Sequence, residues 1–112
     1  MFCIPVYNIA EVIKTFKDKE TKKIFEGEFS KKLPEQIQRL AYKKLLRVHA
    51  AIKLGDLYFP PSNMLERLRG KKQDYWTIRI NKQYRIMFKW QEGNAYEVEI
   101  QDTHDQRNKK MQ

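Results

Sequence analysis

Three stretches in the second half of the chain, 75–80, 84–90 and 95–101, alternate apolar and charged residues. Because successive side chains of a strand point to opposite faces of a sheet, this alternation predicts three strands with one apolar face and one ionic face. The apolar residues occupy even positions: Trp76, Ile78, Ile80, Tyr84, Ile86, Phe88, Trp90, Tyr96, Val98 and Ile100. The charged residues occupy odd positions: Arg79, Arg85, Lys89, Glu97 and Glu99.

The same alternation predicts the turns between these strands. The apolar residues of the first two strands meet only if Ile80 lies opposite Tyr84, which leaves 81–83 as a three-residue loop. This register places Arg79 opposite Arg85, and like charges in that position repel each other. An anion is therefore expected beside the two arginines. It is either Glu99, which a three-residue turn at 91–93 would place beside Arg85, or a phosphate, and both can be present together.

The first half of the chain predicts a short strand at 12–16 and two helices. Asp18 is a suitable N-cap for a helix over 19–26 that Gly27 ends. Pro34 and Glu35 suit the first turn of a second helix, for which Gly55 provides the end. Its predicted apolar face consists of Ile37, Leu40, Ala41, Leu45, Val48 and Ile52. The order of a strand, two helices and antiparallel strands indicates an α+β two-layer domain.

Cationic residues also recur along the second helix, at Arg39, Lys43 and Arg47. This stripe is either an ordinary solvated face or a surface that contacts RNA or an acidic partner. Over the whole chain, 23 Lys and Arg against 14 Asp and Glu give a net charge of +9, which favours polyanionic partners. No apolar run approaches the roughly 20 residues of a membrane span, so a membrane role is not expected.

Other classes of function find little support in the composition. The single Cys3 excludes an internal disulfide and suits a reducing cytosol, so a cytoplasmic location is expected. Cysteine and histidine do not occur at zinc-ligand spacing, and with 4 glycines the chain has no phosphate-cradling loop. The sequence therefore implies neither a metal nor another cofactor.

An ordered set of short motifs resembles the HigB-type toxins of the RelE/ParE superfamily. These motifs are 13–19, Pro60-Pro61-Ser62-Asn63, 65–68 with Gly70, 76–81, 83–86, and 98–100 with Asp102 and His104. The resemblance covers about residues 12–104, which leaves 1–11 as an N-terminal extension and 105–112 as a polar tail. It implies a RelE-like fold, with an N-terminal strand and two helices packed on a curved antiparallel sheet of about four strands.

The resemblance also implies a function. HigB toxins belong to type II toxin-antitoxin systems and are ribosome-dependent mRNA endonucleases that cut the message in the A site until a cognate antitoxin neutralises them. The cleavage needs no metal, because the neighbouring 2′-OH attacks the phosphorus. Two alternatives keep the fold: a non-catalytic basic toxin of the ParE kind that acts on DNA gyrase, and an inactive remnant that binds RNA or the antitoxin.

The resemblance assigns roles to particular residues. Arg85, and second Arg79, are expected to stabilise the charged phosphorane, because guanidinium groups meet phosphate oxygens in a fork. His104 is expected to transfer a proton, with Asp102 orienting it or acting as the base. The predicted RNA-binding residues are Lys71, Lys72, Arg69, Arg67 and Lys89.

Two positions depart from the family pattern. Thr103 stands where the family usually has a tyrosine, and Glu66 stands where some relatives have an active-site histidine. Threonine cannot stack on a base, and such stacking contributes roughly 1–3 kcal/mol per base. A reduced or altered activity is therefore one expectation from Thr103. Asp102 and His104, in contrast, argue against the gyrase-directed branch, which lacks such a site.

Overall fold

A computed structural model of the chain describes residues 12–68 and 75–103. The predicted extension at 1–11, the tail at 105–112 and four of the predicted site residues, Arg69, Lys71, Lys72 and His104, lie outside these ranges. The helices are α1 (Lys19–Phe25) and α2 (Glu35–Ala50), followed by two short 3₁₀ turns at Leu54–Tyr58 and Pro61–Asn63. The strands are β1 (Glu66–Arg67), β2 (Tyr75–Arg79), β3 (Tyr84–Gln91) and β4 (Asn94–Asp102).

The four strands form one antiparallel sheet in the order β1-β2-β3-β4, with the helices on one side. The first hairpin has the predicted register, in which Arg79 lies opposite Arg85. Its loop is held by Asn81, whose Oδ1 accepts hydrogen bonds of 2.8 Å from the backbone N–H groups of Gln83 and Tyr84. The predicted α+β architecture is confirmed.

The second hairpin differs from its predicted form. Gln91 pairs with Asn94, so the turn has two residues, Glu92 and Gly93, with φ values of 49° and 80°. Positive φ at both central positions is the geometry of a tight hairpin turn that matches the twist of the strands. The expectation of a three-residue turn at 91–93 is wrong.

A bulge in β4 corrects the register that the short turn would otherwise give. The pairing shifts between Met87 and Lys89, and Glu97 adopts a φ of 53°. One extra residue reverses the alternation of a strand. Tyr96 therefore lies opposite Lys89 on the ionic face, where an inward position was predicted, and Ala95 is buried in its place.

The N-terminal segment, predicted as a strand at 12–16, runs beside β4 through two parallel bridges, at Ile13 and Phe16. Between them, Thr15 Oγ1 accepts a hydrogen bond of 2.8 Å from the backbone N–H of Glu97. A bulge leaves one residue unpaired in its ladder, and here Thr15 supplies the missing partner. The segment thus holds the bulge in place.

The helix boundaries follow from their caps. Asp18 Oδ2 accepts from the N–H of Thr21 at 3.3 Å, and Gly27 follows α1 with a φ of 84°, as predicted. The second helix, however, ends at Ala50 and not near Gly55. Ile52 consequently lies outside the helix and is 84% exposed, so its assignment to the apolar face was wrong.

The core lies between the two helices and the inner face of the sheet. Its most buried members include Ala41, Leu45 and Val48 of α2 and Ile78, Ile86, Phe88 and Val98 of the sheet. The opposite face of the sheet, over which the described residues place no helix, carries the charged positions of β2 and β3. Within residues 12–68 and 75–103, no helix is long and apolar enough to cross a bilayer.

Candidate active site on the open sheet face

Arg85 is held in place by contacts with three other residues on the open face. Its Nε donates to Thr77 Oγ1 at 3.1 Å, and its Nη2 donates to the carbonyl of Met64 at 3.3 Å and to Glu66 Oε1 at 3.2 Å. Thr77 is itself buried, so the first contact is made to a fixed group. Side chains locked by packing and hydrogen bonds present their charge in a defined direction. Arg85 is therefore oriented before any ligand arrives.

The carboxylate beside Arg85 belongs to Glu66. One of the two expectations had assigned it to Glu99. Because of the short turn and the bulge, Glu99 lies opposite Met87, and Gln101 lies opposite Arg85. The Glu66 side chain is 58% exposed, against 22% for Arg85. Exposed ion pairs contribute about 0–1 kcal/mol, so this carboxylate can leave the arginine at little cost.

Arg79 lies directly opposite Arg85 and has different partners. Its Nε donates to the carbonyl of Asn81 at 3.2 Å, and its Nη1 lies 2.9 Å from the sulfur of Met64. Within the described part of the chain, no carboxylate lies within ion-pair distance of Arg79. Met64 thus contacts both arginines, one through its sulfur and the other through its carbonyl. It does so from a left-handed backbone conformation with a φ of 48°.

Asp102 lies on the other face of the sheet. It pairs with Tyr84, whose side chain is buried with the core, whereas its neighbour Gln101 pairs with Arg85. The Asp102 carboxylate accepts from Gln83 Nε2 at 3.1 Å. Burial, and second the nearby Asp102 charge, raise the pKa of the Tyr84 hydroxyl. The structure therefore does not bring Asp102 and Arg85 together on one surface.

Thr103, the departure from the family tyrosine, is bound to the first hairpin loop. Both its backbone N–H, at 2.7 Å, and its hydroxyl, at 2.8 Å, donate to the carbonyl of Gln83. With the Asp102–Gln83 contact, this fixes the end of β4 against that loop. The residue that follows is His104, whose position lies outside the described residues.

The remaining predicted RNA-binding residues of the described part lie on opposite faces. Lys89 lies opposite Tyr75 and Tyr96, in line with Arg85 on the open face. Arg67 lies opposite Trp76, with its guanidinium carbon 5.9 Å from the centre of the indole ring. That distance is within the range of a cation–π interaction. Lys89 therefore extends the cationic surface around Arg85, and Arg67 does not.

Tyr75 gives the open face an aromatic ring with a fixed hydroxyl. The hydroxyl donates to Glu97 Oε1 at 2.5 Å. Burial, followed by this hydrogen bond, raises the pKa of the Tyr75 hydroxyl to about 12. Tyr75 and Tyr96 both flank Lys89 by register, so a cation is placed between two aromatic side chains. Aromatic and cationic side chains together are typical of surfaces that bind single-stranded nucleic acid.

Sequence reasoning missed a buried cation near this face. Lys44 of α2 is only 8% exposed, and its ammonium donates to Oδ1 of the fully buried Asn63. The amide nitrogen of Asn63 in turn donates to the carbonyls of Leu57 and Phe59, both at 3.1 Å. The helical spacing held a signal for this, because Lys44 lies on the same side of α2 as Ala41 and Val48.

The fold and its surface define a class of protein: a small RelE-like α+β domain with paired arginines on an open sheet face. The profile of one such family, described as "RelE-like toxin of type II toxin-antitoxin system HigB", matches residues 14–104. The chain belongs to this HigB-like toxin family. The match covers most of the chain and agrees with the resemblance of the motifs and with the predicted fold.

Two relatives illustrate the similarity. The chain is 38% identical to Toxin HigB-1 of Vibrio cholerae, over 71% of its own length and 85% of the relative's length. It is 30% identical to Endoribonuclease HigB of Proteus vulgaris, over 83% of its own length and 100% of the relative's length.

Proposed function

We propose that this chain is the toxin of a type II toxin-antitoxin pair and acts as a ribosome-dependent mRNA endonuclease. The observation that carries the proposal is the pair formed by Arg79 and Arg85, which face each other on the open face. Among the described residues, the exposed carboxylate of Glu66 is the one that forms an ion pair with them. A phosphate of RNA would neutralise such a pair. The similarity to Endoribonuclease HigB of Proteus vulgaris supports the endoribonuclease activity.

The arginines would act on the charge that develops during cleavage. Attack of a 2′-OH on the adjacent phosphorus produces a phosphorane with more negative charge than the starting diester. Donors that are already oriented towards that charge stabilise it without further reorganisation. Arg85 meets this requirement, because Thr77 and the Met64 carbonyl hold its guanidinium. Arg79 would bind the same phosphate or the next one.

Proton transfer would involve Glu66 in place of Asp102. Glu66 contacts Arg85 directly at 3.2 Å, so a phosphate bound by Arg85 would lie close to this carboxylate. An exposed carboxylate in that position can accept the proton of the 2′-OH. His104 remains the predicted donor to the leaving 5′-oxygen. The role of Asp102 would be to hold Gln83 and thereby the end of β4.

The partners follow from this function. They are a cognate antitoxin, RNA, and the ribosome with its A-site mRNA, all of which a bacterial toxin would meet in the cytoplasm. The proposed chemistry requires no metal and no organic cofactor, since the nucleophile belongs to the substrate and the arginines supply the positive charge. Lys89, with its two tyrosine neighbours, would contact RNA beyond the scissile phosphate.

Induction of the chain in bacteria that lack the antitoxin, with mapping of mRNA 5′-ends, tests the proposal. We expect codon-phased cuts that decrease by about 10²–10³-fold in Arg85→Ala, the usual effect of losing one oriented donor. Arg85→Lys should fail almost as completely, because a lysine cannot donate to Thr77 and a phosphate in the same fork. Arg39→Ala, which removes an exposed cation of α2, is the matched control and should cut normally.

Three results would contradict the proposal. Growth arrest with DNA damage and intact mRNA would indicate a gyrase-directed toxin. Normal growth with an intact, folded chain would indicate an inactive binding remnant. Codon-phased cutting that persists in Arg85→Ala would mean that the open face is not the catalytic surface.

A further inference from the structure

An open cavity of about 310 Å³ lies beside the arginine pair, at the edge of the sheet. It is formed where the end of β2, the Pro61–Asn63 turn and α2 meet. Its lining consists of Leu40, Lys44, Ser62, Met64, Arg79 and Ile80. Arg79 connects the cavity to the open face, because it leaves the sheet opposite Arg85 and reaches the sulfur of Met64 at the cavity wall.

The charges of the lining favour an anion. Two of the six lining residues are cations, Lys44 and Arg79, and none is acidic. A lysine ammonium has three donors. Within the described residues the ammonium of Lys44 donates to a single acceptor, the Asn63 side chain, although Lys44 is 92% removed from solvent. An anion in the cavity would compensate the charge of this little-exposed cation.

The rest of the lining favours an anion that carries an apolar body. Leu40, Met64 and Ile80 supply aliphatic and thioether surface, and Ser62 adds one hydroxyl at the rim. Thioether sulfur makes favourable contacts with aromatic rings. The volume lies at the lower end of small-molecule sites, which span roughly 300–1,000 Å³. A single nucleotide combines these properties: a phosphate with a ring that can lie against apolar side chains.

We propose that this cavity is a nucleotide subsite, in which Arg79 and Lys44 bind a phosphate and Leu40, Met64 and Ile80 receive the attached base. The proposal rests on the proposed function, because it assigns the cavity to a nucleotide of the message that neighbours the scissile phosphate. It predicts that the base in this subsite contributes to the choice of cleavage site. Filling the cavity should therefore change sequence preference without disturbing Arg85.

Leu40 and Leu46 give a matched pair of variants for the test. Both are partly exposed leucines of α2, at 39% and 40%, and only Leu40 lines the cavity. Leu40→Trp should fill the cavity without burying a new polar group, and Leu46→Trp adds the same side chain elsewhere on the helix. Adenosine 5′-monophosphate is titrated into the purified full chain and each variant, with adenosine and inorganic phosphate as separate probes. Backbone amide shifts report where each probe binds.

We expect adenosine 5′-monophosphate to shift the amides around the cavity and to bind more tightly than either inorganic phosphate or adenosine alone. Leu40→Trp should weaken it about tenfold or more, the effect of losing one stacked base, and Leu46→Trp should not. Lys44→Met should weaken the nucleotide and inorganic phosphate together. In cells, Leu40→Trp should redistribute the mapped mRNA cuts, while Arg85→Ala abolishes them.

Several results would overturn the subsite. These are the absence of saturable shifts at the cavity, equal binding of nucleotide and inorganic phosphate, and equal losses in the two tryptophan variants. Unchanged nucleotide binding in Leu40→Trp, with loss of neutralisation by the antitoxin, would make the cavity a protein-binding site. The two proposals fail separately. Nucleotide binding that depends on Leu40, in a chain that produces no mRNA cuts, would contradict the endonuclease and leave only a nucleotide site.

Discussion

Replacement of Asn63 should unfold this domain more effectively than any surface substitution. Asn63 is completely buried and makes three hydrogen bonds, to the Lys44 ammonium and to the carbonyls of Leu57 and Phe59. Asn63→Leu keeps a similar volume and removes all three. The cost therefore comes from the partners that are left, rather than from a cavity.

The magnitude can be worked from those partners. A buried carbonyl without a donor costs about 1–3 kcal/mol, and this applies fully to Leu57, which is almost completely buried. The Phe59 residue is exposed, so water can replace its lost donor. A buried charge that loses its partner costs about 3–5 kcal/mol. The sum, about 4–8 kcal/mol, is comparable with the whole stability of a domain of this size.

The assay is urea denaturation followed by tryptophan fluorescence, with Ser62→Ala as the control at the neighbouring exposed position. The control should stay within about 0.5 kcal/mol of the parent. In the double variant Lys44→Met/Asn63→Leu the charge is gone. Its loss of unfolding free energy should therefore be about 3 kcal/mol smaller than the sum of the losses in the two single variants. Strict additivity of the two single variants would refute the reasoning, because it would show that Lys44 does not depend on Asn63.

The same pair predicts a pH effect. Burial, and second the charge of Arg47, lower the pKa of Lys44 in the folded chain. In the window between that lowered pKa and the ordinary value of about 10.4, the unfolded chain binds more protons than the folded one. The contribution of Lys44 to stability therefore rises with pH across this window. Lys44→Met should remove the rise, and identical pH slopes in the two proteins would contradict the assignment.

Three further changes have predictable effects. Burial, and second the hydrogen bond to Glu97, raise the pKa of Tyr75 to about 12, so its contribution to stability is complete below pH 10 and is lost as pH rises to 12. Tyr75→Phe should flatten that alkaline decline in a urea series, and an unchanged decline would exclude Tyr75 as its source. Gly93→Ala should cost about 1–2 kcal/mol because of its φ of 80°, whereas Gly55→Ala, without positive φ, should be nearly neutral by the same assay. Asp18→Ala should cost about 1 kcal/mol by removing the N-cap of α1, measurable by thermal melting, and an unchanged midpoint would refute the cap.

The alternation of residues was sufficient to predict three of the four strands and the first hairpin. It predicted that Arg79 lies opposite Arg85, because the register that pairs the apolar residues on the inner face also pairs these two arginines. It could not give the second turn. A three-residue turn, and a two-residue turn followed by one bulge, give the same inward and outward positions to the residues of β4 that lie beyond the bulge. The pattern cannot distinguish them, and Glu99 and Tyr96 were therefore misplaced.

The site was predicted less completely than the fold. Arg85 follows from the alternation together with the family resemblance, but its carboxylate neighbour Glu66 does not. Glu66 lies on a strand of only two residues, too short to carry a periodic signal. Lys44 was missed for a different reason. A lysine is seldom buried, and the acceptor that its ammonium meets, the side chain of Asn63, lies nineteen positions away in the sequence.

The bulge at Glu97 has a consequence at the other end of the same strand. The two-residue turn and this bulge each shift β4 by one position relative to a hairpin with a three-residue turn. An amide, Gln101, therefore lies across from Arg85, where Glu99 would lie in that hairpin. The charge next to the arginine pair thus depends on a distant turn and kink, and Thr15 secures the kink from a different part of the chain. Family members with a three-residue turn and no kink should place an acidic side chain against the same arginine and bind anions there less well.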